Sequence, residues 1–126
     1  MTDQDLQALE AAKWRPSSLG SERFIALFAD DFVSVEYGAN PFGGVTRVTD
    51  AKSILTSGGA DTLIQMLELA AFEMSEWRIA DLGPEARLIS YRIAAPAMNW
   101  SAYATSVWKA IDDRWQTVFY QASRTD

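Results

Sequence analysis

"SVWKAIDDRWQTVFYQAS", residues 106–123, is the stretch on which the reading of this chain turns. Two runs rich in Val, Trp, Phe and Tyr flank Asp112 and Asp113, a pattern of two strands joined by a tight turn. A strand with one wet face carries its bulky apolar side chains on the other face only. Here large aromatics fall on both. A two-residue turn places Trp108 opposite Thr117, Ser106 opposite Phe119 and Ala104 opposite Gln121 on one side of the sheet. Thr105, Val107, Val118 and Tyr120 then share the other side, and a bulge would shift this register. Both sides of the hairpin are expected to be covered.

Working outward, β-like segments are expected at about residues 66–80, 86–95 and 99–111, with the last strand at 115–124. In the first of these, Phe72 and Met74 alternate, but Trp77 and Ile79 continue the apolar series out of phase. A one-residue bulge near Ser75 and Glu76 restores it and bends the strand. The connections "LGPE" and "DD" have hairpin length. Towards the N-terminus the pattern is helical. "TDQDLQALEAAKW" offers Thr2 or Asp3 as a cap, has Leu6, Leu9 and Lys13 on one stripe with Ala12 beside it, and stops at Pro16. "SSLGSERFIALFADD" spaces Phe24, Leu27 and Phe28 as a second short helix with serines suited to capping it. "DFVSVEYG" switches to a period of two, "GVTRV" reads as a second short strand, and "TDAKSILTSGG" as a third helix ended by Gly58 and Gly59. Helices first and mostly sheet afterwards predict an α+β architecture, an antiparallel sheet with helices gathered on one side.

The chain has 126 residues, 48% of them hydrophobic and 22% charged, as expected for one soluble globular domain spanning 1–126. A formal charge of −6, with 11 scattered bases among 17 acids, argues against a nucleic-acid partner. There are no cysteines, so disulfides, thiolate nucleophiles and thiolate metal sites are excluded, which fits a cytoplasmic location. There are no histidines, which excludes histidine-based triads and histidine-ligated zinc. The acidic N-terminus does not have the form of a signal peptide, and no run of apolar residues is long enough to span a membrane. No cofactor motif is present and no cofactor is expected.

The "FADDFVSVE" junction, the Gly-bearing loop after it, the small third helix and the closing hairpin, taken in order, resemble the nuclear transport factor 2-like superfamily. The likeness covers nearly the whole chain and is greatest to the SnoaL-like and related uncharacterised bacterial domains. It implies a cone-shaped fold in which N-terminal helices cover the concave face of a curved antiparallel sheet and leave a pocket. It also implies a homodimer formed through the sheet's outer side, here Val107, Val118 and Tyr120. On this reading Trp108, Phe119 and Gln121 line the pocket, with Gln121 as its polar hook.

Within that family, alignment to ketosteroid isomerase from the "ADD" stretch puts Glu36 where the enzyme has its carboxylate base. A carboxylate facing an apolar pocket has a raised pKa and can move a proton between carbons; the alternative is a solvated strand-end glutamate. The isomerase's oxyanion groups have no counterpart, because the corresponding regions read Ala12 and Trp14 on the helix and "APAMNWS" on the strand. Trp14 is either a pocket wall with an N–H donor or a core lid. Tyr37 either supplies a phenol to the pocket mouth or ends its strand, and Tyr91 shares a face with Ile89 and Ile93 and is expected to pack in the core. Asp30 and Asp31 are expected to shape a turn. Glu68, Glu73 and Glu76 have no spacing known for a metal site, and no metal is expected. Two functions follow: a small-molecule-binding domain with an aromatic-lined pocket formed by Trp14, Tyr37, Trp108, Phe119 and Gln121, or an isomerase, lyase or cyclase acting on a small apolar cyclic substrate with Glu36 as general base.

Overall fold

A computed structural model describes residues 1–36, 41 and 49–125, and the side chains of 49–51 and 54 are not among what it describes. Helix α1, Asp3–Trp14, begins in a reciprocal cap: the Asp5 backbone N–H donates to Thr2 Oγ1 (3.0 Å) and the Thr2 N–H donates to Asp5 Oδ2 (3.1 Å). The Thr2 backbone N–H, and after it the Thr2 hydroxyl, hold the Asp5 carboxyl below its ordinary pKa. Its buried positions are Leu6, Glu10, Lys13 and Trp14, a spacing that puts all four on one face. Helix α2, Gly20–Ala26, leads directly into strand β1, Phe28–Val35. Strand β2 is only Thr49–Asp50, and α3, Ala51–Ile54, follows it. A wide turn at Leu55–Gly59, with Gly58 at φ 103°, joins α3 to α4, Ala60–Ala70. Strands β3 (Glu73–Gly83), β4 (Ala86–Ala95), β5 (Trp100–Ile111) and β6 (Arg114–Arg124) complete the chain.

The sheet order is β2-β1-β6-β5-β4-β3, and the helices pack on one face of this curved, open α+β sheet. The expected antiparallel arrangement holds for every pair except β1 with β6, which is parallel. Those two strands are joined by most of the chain rather than by a hairpin, so nothing obliges them to run in opposite directions. A second correction concerns residues 66–70, expected as strand and found as the last part of α4. Leu63, Ile64, Leu67 and Ala70 form its inward stripe, a helical spacing that the density of Leu, Ile and Met in "LIQMLELA" conceals. Leu27 and Phe28 likewise fall past the end of α2, and no serine side chain caps that helix. "GVTRV" lies outside the described residues.

The bulge expected near Ser75 and Glu76 is present. Ser75 pairs with Arg92 and Arg78 with Ser90, so β3 carries one extra residue there, and Glu76 takes a left-handed φ of 56°. Asp112 and Asp113 form the two-residue turn, both with positive φ (50° and 64°), the backbone that a tight hairpin of this hand requires. The register beyond the turn departs from expectation. Trp108 does face Thr117, but Val107 pairs with Phe119, which leaves Val118 as an inserted residue. One inserted residue exchanges the two faces of everything after it. Ser106 therefore pairs with Tyr120 and Ala104 with Ala122, and these are the buried, helix-covered positions. Phe119 and Gln121 lie on the outer side, where the sequence reading had put Val118 and Tyr120.

The concave face is floored by small side chains, Ala102, Ala104, Ser106 and Ala122, all buried. Over it lie Trp14, Phe72, Tyr91 and Tyr120, with Trp14 edge-on to Phe72 (centroids 5.0 Å) and tilted against Tyr120 (5.3 Å). Gln116 fixes the α2–β1 junction by donating from Nε2 to the carbonyls of Ala26 (3.0 Å) and Phe28 (3.2 Å). Lys52 Nζ donates to the Ile25 and Phe28 carbonyls at 3.2 and 2.7 Å. Both satisfy carbonyls left open where the helix ends.

Candidate functional site

The face of α1 that meets the sheet carries two charges into the core. Glu10 is 0% exposed, and a buried carboxylate is stable only when its oxygens are fully hydrogen-bonded. Its partners come from three elements. Oε2 accepts from Lys13 Nζ (2.9 Å) one turn along α1, from Ser106 Oγ (2.8 Å) on β5, and from the Tyr91 hydroxyl on β4. Oε1 accepts from Trp108 Nε1 (2.7 Å). Lys13 also donates to Ser106 Oγ (3.0 Å), and Trp14 Nε1 donates to the Tyr91 hydroxyl (2.7 Å). Six side chains thus share one connected polar network between helix and sheet.

Burial, reinforced by the negative charge of Glu10, pushes the Tyr91 phenol well above the ordinary tyrosine value, so it stays a neutral donor. The Lys13 ammonium also stands 4.7 Å from the centroid of the Tyr120 ring. Tyr120 is 3% exposed, and its hydroxyl has no hydrogen-bond partner among the described residues. Its phenol too is raised well above the ordinary value, by burial first and then by the charges of Glu36 and Glu10. An unpartnered buried hydroxyl is costly, on the order of 1–3 kcal/mol, which makes it the exceptional group of this region.

Glu36 follows the end of β1 and is half-buried, accepting from Ser34 Oγ at 3.0 Å. Burial raises its pKa from the ordinary glutamate value, against the opposing pull of the Ser34 bond and the Lys13 charge. It is not the fully solvated glutamate that would dismiss it as a base. Glu36, Lys13, Tyr120 and Glu10 therefore lie within electrostatic reach of one another, around a neutral phenol that has no hydrogen-bond partner among the described residues.

Trp14 and Trp108 are both at this site, but their N–H groups are engaged by Tyr91 and Glu10. They act as walls. Tyr91 sits on the concave face with Ile89 and Ile93 as expected, though as a network member and not only as packing. Phe119 and Gln121 are absent from the site because of the Val118 bulge, and Gln121 Nε2 instead donates to Ser123 Oγ (2.8 Å). Tyr37 lies outside the described residues. Asp30 and Asp31 are exposed within β1, not in a turn before it, with Asp30 Oδ1 3.7 Å from Lys52 Nζ. Among the described residues no group of three Asp or Glu side chains comes together as a metal site would require. Sequence reading missed Glu10, Ser106 and Tyr120. For Glu10 a signal existed: it and Lys13 occupy the stripe of α1 that also holds Leu6 and Trp14, and charges in an apolar stripe demand partners.

No family model and no curated protein matches this sequence. Solved structures do match in fold. A nuclear transport factor 2-like protein of unknown function from Shewanella oneidensis is 14% identical at a TM-score of 0.62, covering 98% of this chain and 99% of that one. A protein described provisionally as a ketosteroid isomerase, from Parabacteroides distasonis, gives 11% identity and a TM-score of 0.58 over 96% and 86% of the two chains. The association domain of the Caenorhabditis elegans calcium/calmodulin-dependent kinase II gives 14% and 0.58 over 95% and 90%.

Proposed function

We propose that this chain, which has the nuclear transport factor 2-like fold, is a small-molecule-binding domain whose ligand docks on the concave side beside Lys13, Glu36 and Tyr120. The observation that carries this reading is the buried Tyr120 hydroxyl without a partner among the described residues, set next to a half-buried carboxyl of raised pKa. A ligand with one carbonyl or hydroxyl group on an apolar ring would meet that phenol, while Trp14 supplies aromatic surface. Phe119 and Gln121 have no part in it.

The outer sheet face is proposed as a homodimer surface, since Val33, Phe119, Val107 and Leu88 form one cross-strand row that helices leave uncovered. The kinase association domain of the same fold supports this use of the fold. A proton-transfer reading has its own support. Glu36 of raised pKa would take a proton next to a carbonyl, and Tyr120 would donate to the oxygen on which charge develops.

A thermal-shift screen with substituted phenols and cyclohexenones tests binding. A ligand at about 100 times its Kd adds about 2.7 kcal/mol of stability, a shift of several degrees. Tyr120→Phe and Trp14→Ala abolish the shift if the site is right, and no shift with any compound refutes it. Deuterium uptake at the carbon next to the carbonyl of a bound cyclohexenone, lost in Glu36→Gln, separates catalysis from binding.

A further inference from the structure

A cleft of about 550 Å³ opens at the far end of strands β3 to β6, where Glu73 begins β3, Trp100 and Ser101 begin β5 and Arg124 ends β6. Register brings these ends together: Glu73 pairs with Ala94, Ala94 with Ser101, and Ala102 with Arg124. One wall is the short turn Pro96–Met98, closed by Asn99 in a left-handed conformation (φ 50°). The size is that of a small-ligand site.

Its lining is unusual for this acidic chain. Arg92 and Arg124 both contribute, against one carboxylate, Glu73. Arg92 is half-buried, and its guanidinium makes no hydrogen bond or ion pair among the described residues, although Arg87 on the same strand pairs with Asp81 at 2.8 Å. An arginine that is partly desolvated and unpaired retains a planar fork of donors suited to a carboxylate. The hydroxyls of Ser101 and Thr125, bonded to each other, add polar atoms beside it. Ala94, Pro96 and the buried Trp100 supply an apolar surface, and the Trp100 indole N–H has no acceptor among the described residues.

We infer that this cleft binds a short-chain aliphatic monocarboxylate, its carboxylate on the Arg92 guanidinium and its hydrocarbon tail against Trp100 and Pro96. Among the described lining residues Arg92 alone offers an open guanidinium, with the Glu73 carboxylate also at the cleft, which suits a single carboxylate better than phosphate. The site is separate from the Tyr120 phenol and stands whether or not that phenol meets a ligand.

The test is a titration of the ¹⁵N-labelled protein followed by NMR, with sodium butyrate, n-butanol and sodium phosphate as probes, the Trp100 indole signal being assigned through Trp100→Phe. Butyrate is expected to move the Trp100 indole and the Ser101 and Thr125 amides saturably, with Kd on the order of 1 mM. Arg92→Gln weakens this about tenfold, the effect of losing a charge-assisted pair. Arg92→Lys retains part of it, and Ser101→Ala provides a second variant should Arg92→Gln fail to fold. Absence of saturable shifts, an equal response to butanol, tighter binding of phosphate, or binding that is indifferent to both Arg92→Gln and Ser101→Ala overturns the assignment.

Discussion

On the concave face of β5 and β6, Ser106, Trp108, Thr117 and Tyr120 are buried beneath α1, and three of them belong to or adjoin the Glu10 and Lys13 network. On the outer face of the same strands, Val107, Phe119 and Gln121 stay partly exposed and no helix covers them. The two surfaces are built from one hairpin with large side chains on both sides. They differ in what surrounds those side chains, and hence in what a substitution costs.

The largest expected effect lies on the concave side. Glu10→Ala leaves the Lys13 ammonium buried without its carboxylate and removes the acceptor of Tyr91, Ser106 and Trp108, so a loss of about 3–5 kcal/mol is expected in urea denaturation. The double replacement Glu10→Leu with Lys13→Met removes both charges together and should recover much of that loss. If the single and double variants are equally unstable, the cost comes from packing and the ionic account of this face fails. Tyr91→Phe is intermediate. It deprives Glu10 of one donor and the Trp14 indole of its acceptor, for about 1–3 kcal/mol.

On the outer face, Phe119→Ser should cost less than about 1 kcal/mol in a monomer, as surface changes do. It should instead weaken self-association, measured by sedimentation of parent and variant at micromolar concentration. A parent that sediments as a monomer refutes the dimer surface.

The smallest effect is one of pH. Glu36 has a folded pKa raised above its ordinary value, so the folded state holds its proton more tightly than the unfolded chain does. Its contribution is complete below the ordinary glutamate pKa and is lost as pH rises through the raised value. Glu36→Gln should flatten the stability profile in that window just above the ordinary glutamate range, and an unchanged slope would place Glu36 in ordinary solvent.

Much of the sheet was legible because period-two alternation and turn chemistry are local. The Asp112–Asp113 turn, the strand 86–95 and the β3 bulge could all be read from neighbouring residues. Helix α4 was partly misread because Leu, Ile and Met suit a buried strand as well as a buried helix, and only Leu63, Ile64, Leu67 and Ala70 taken together separate the two. The candidate site was harder. Glu36 was found through a resemblance, whereas Glu10 and Tyr91 stand 81 residues apart in the chain and Glu10 and Trp108 stand 98 apart.

By itself the sequence determined the α+β order, the strands of the closing hairpin and the presence of aromatics on both its sides, since each follows from short-range periodicity. Tertiary structure decided which aromatic faces which way. The inserted Val118 turns Tyr120 inward and Phe119 outward, and what Tyr120 meets there, the Trp14 ring and the Lys13 ammonium, comes from helix α1. A single extra residue in a strand leaves no mark in composition, because the energy that selects it comes from contacts with residues a hundred positions away.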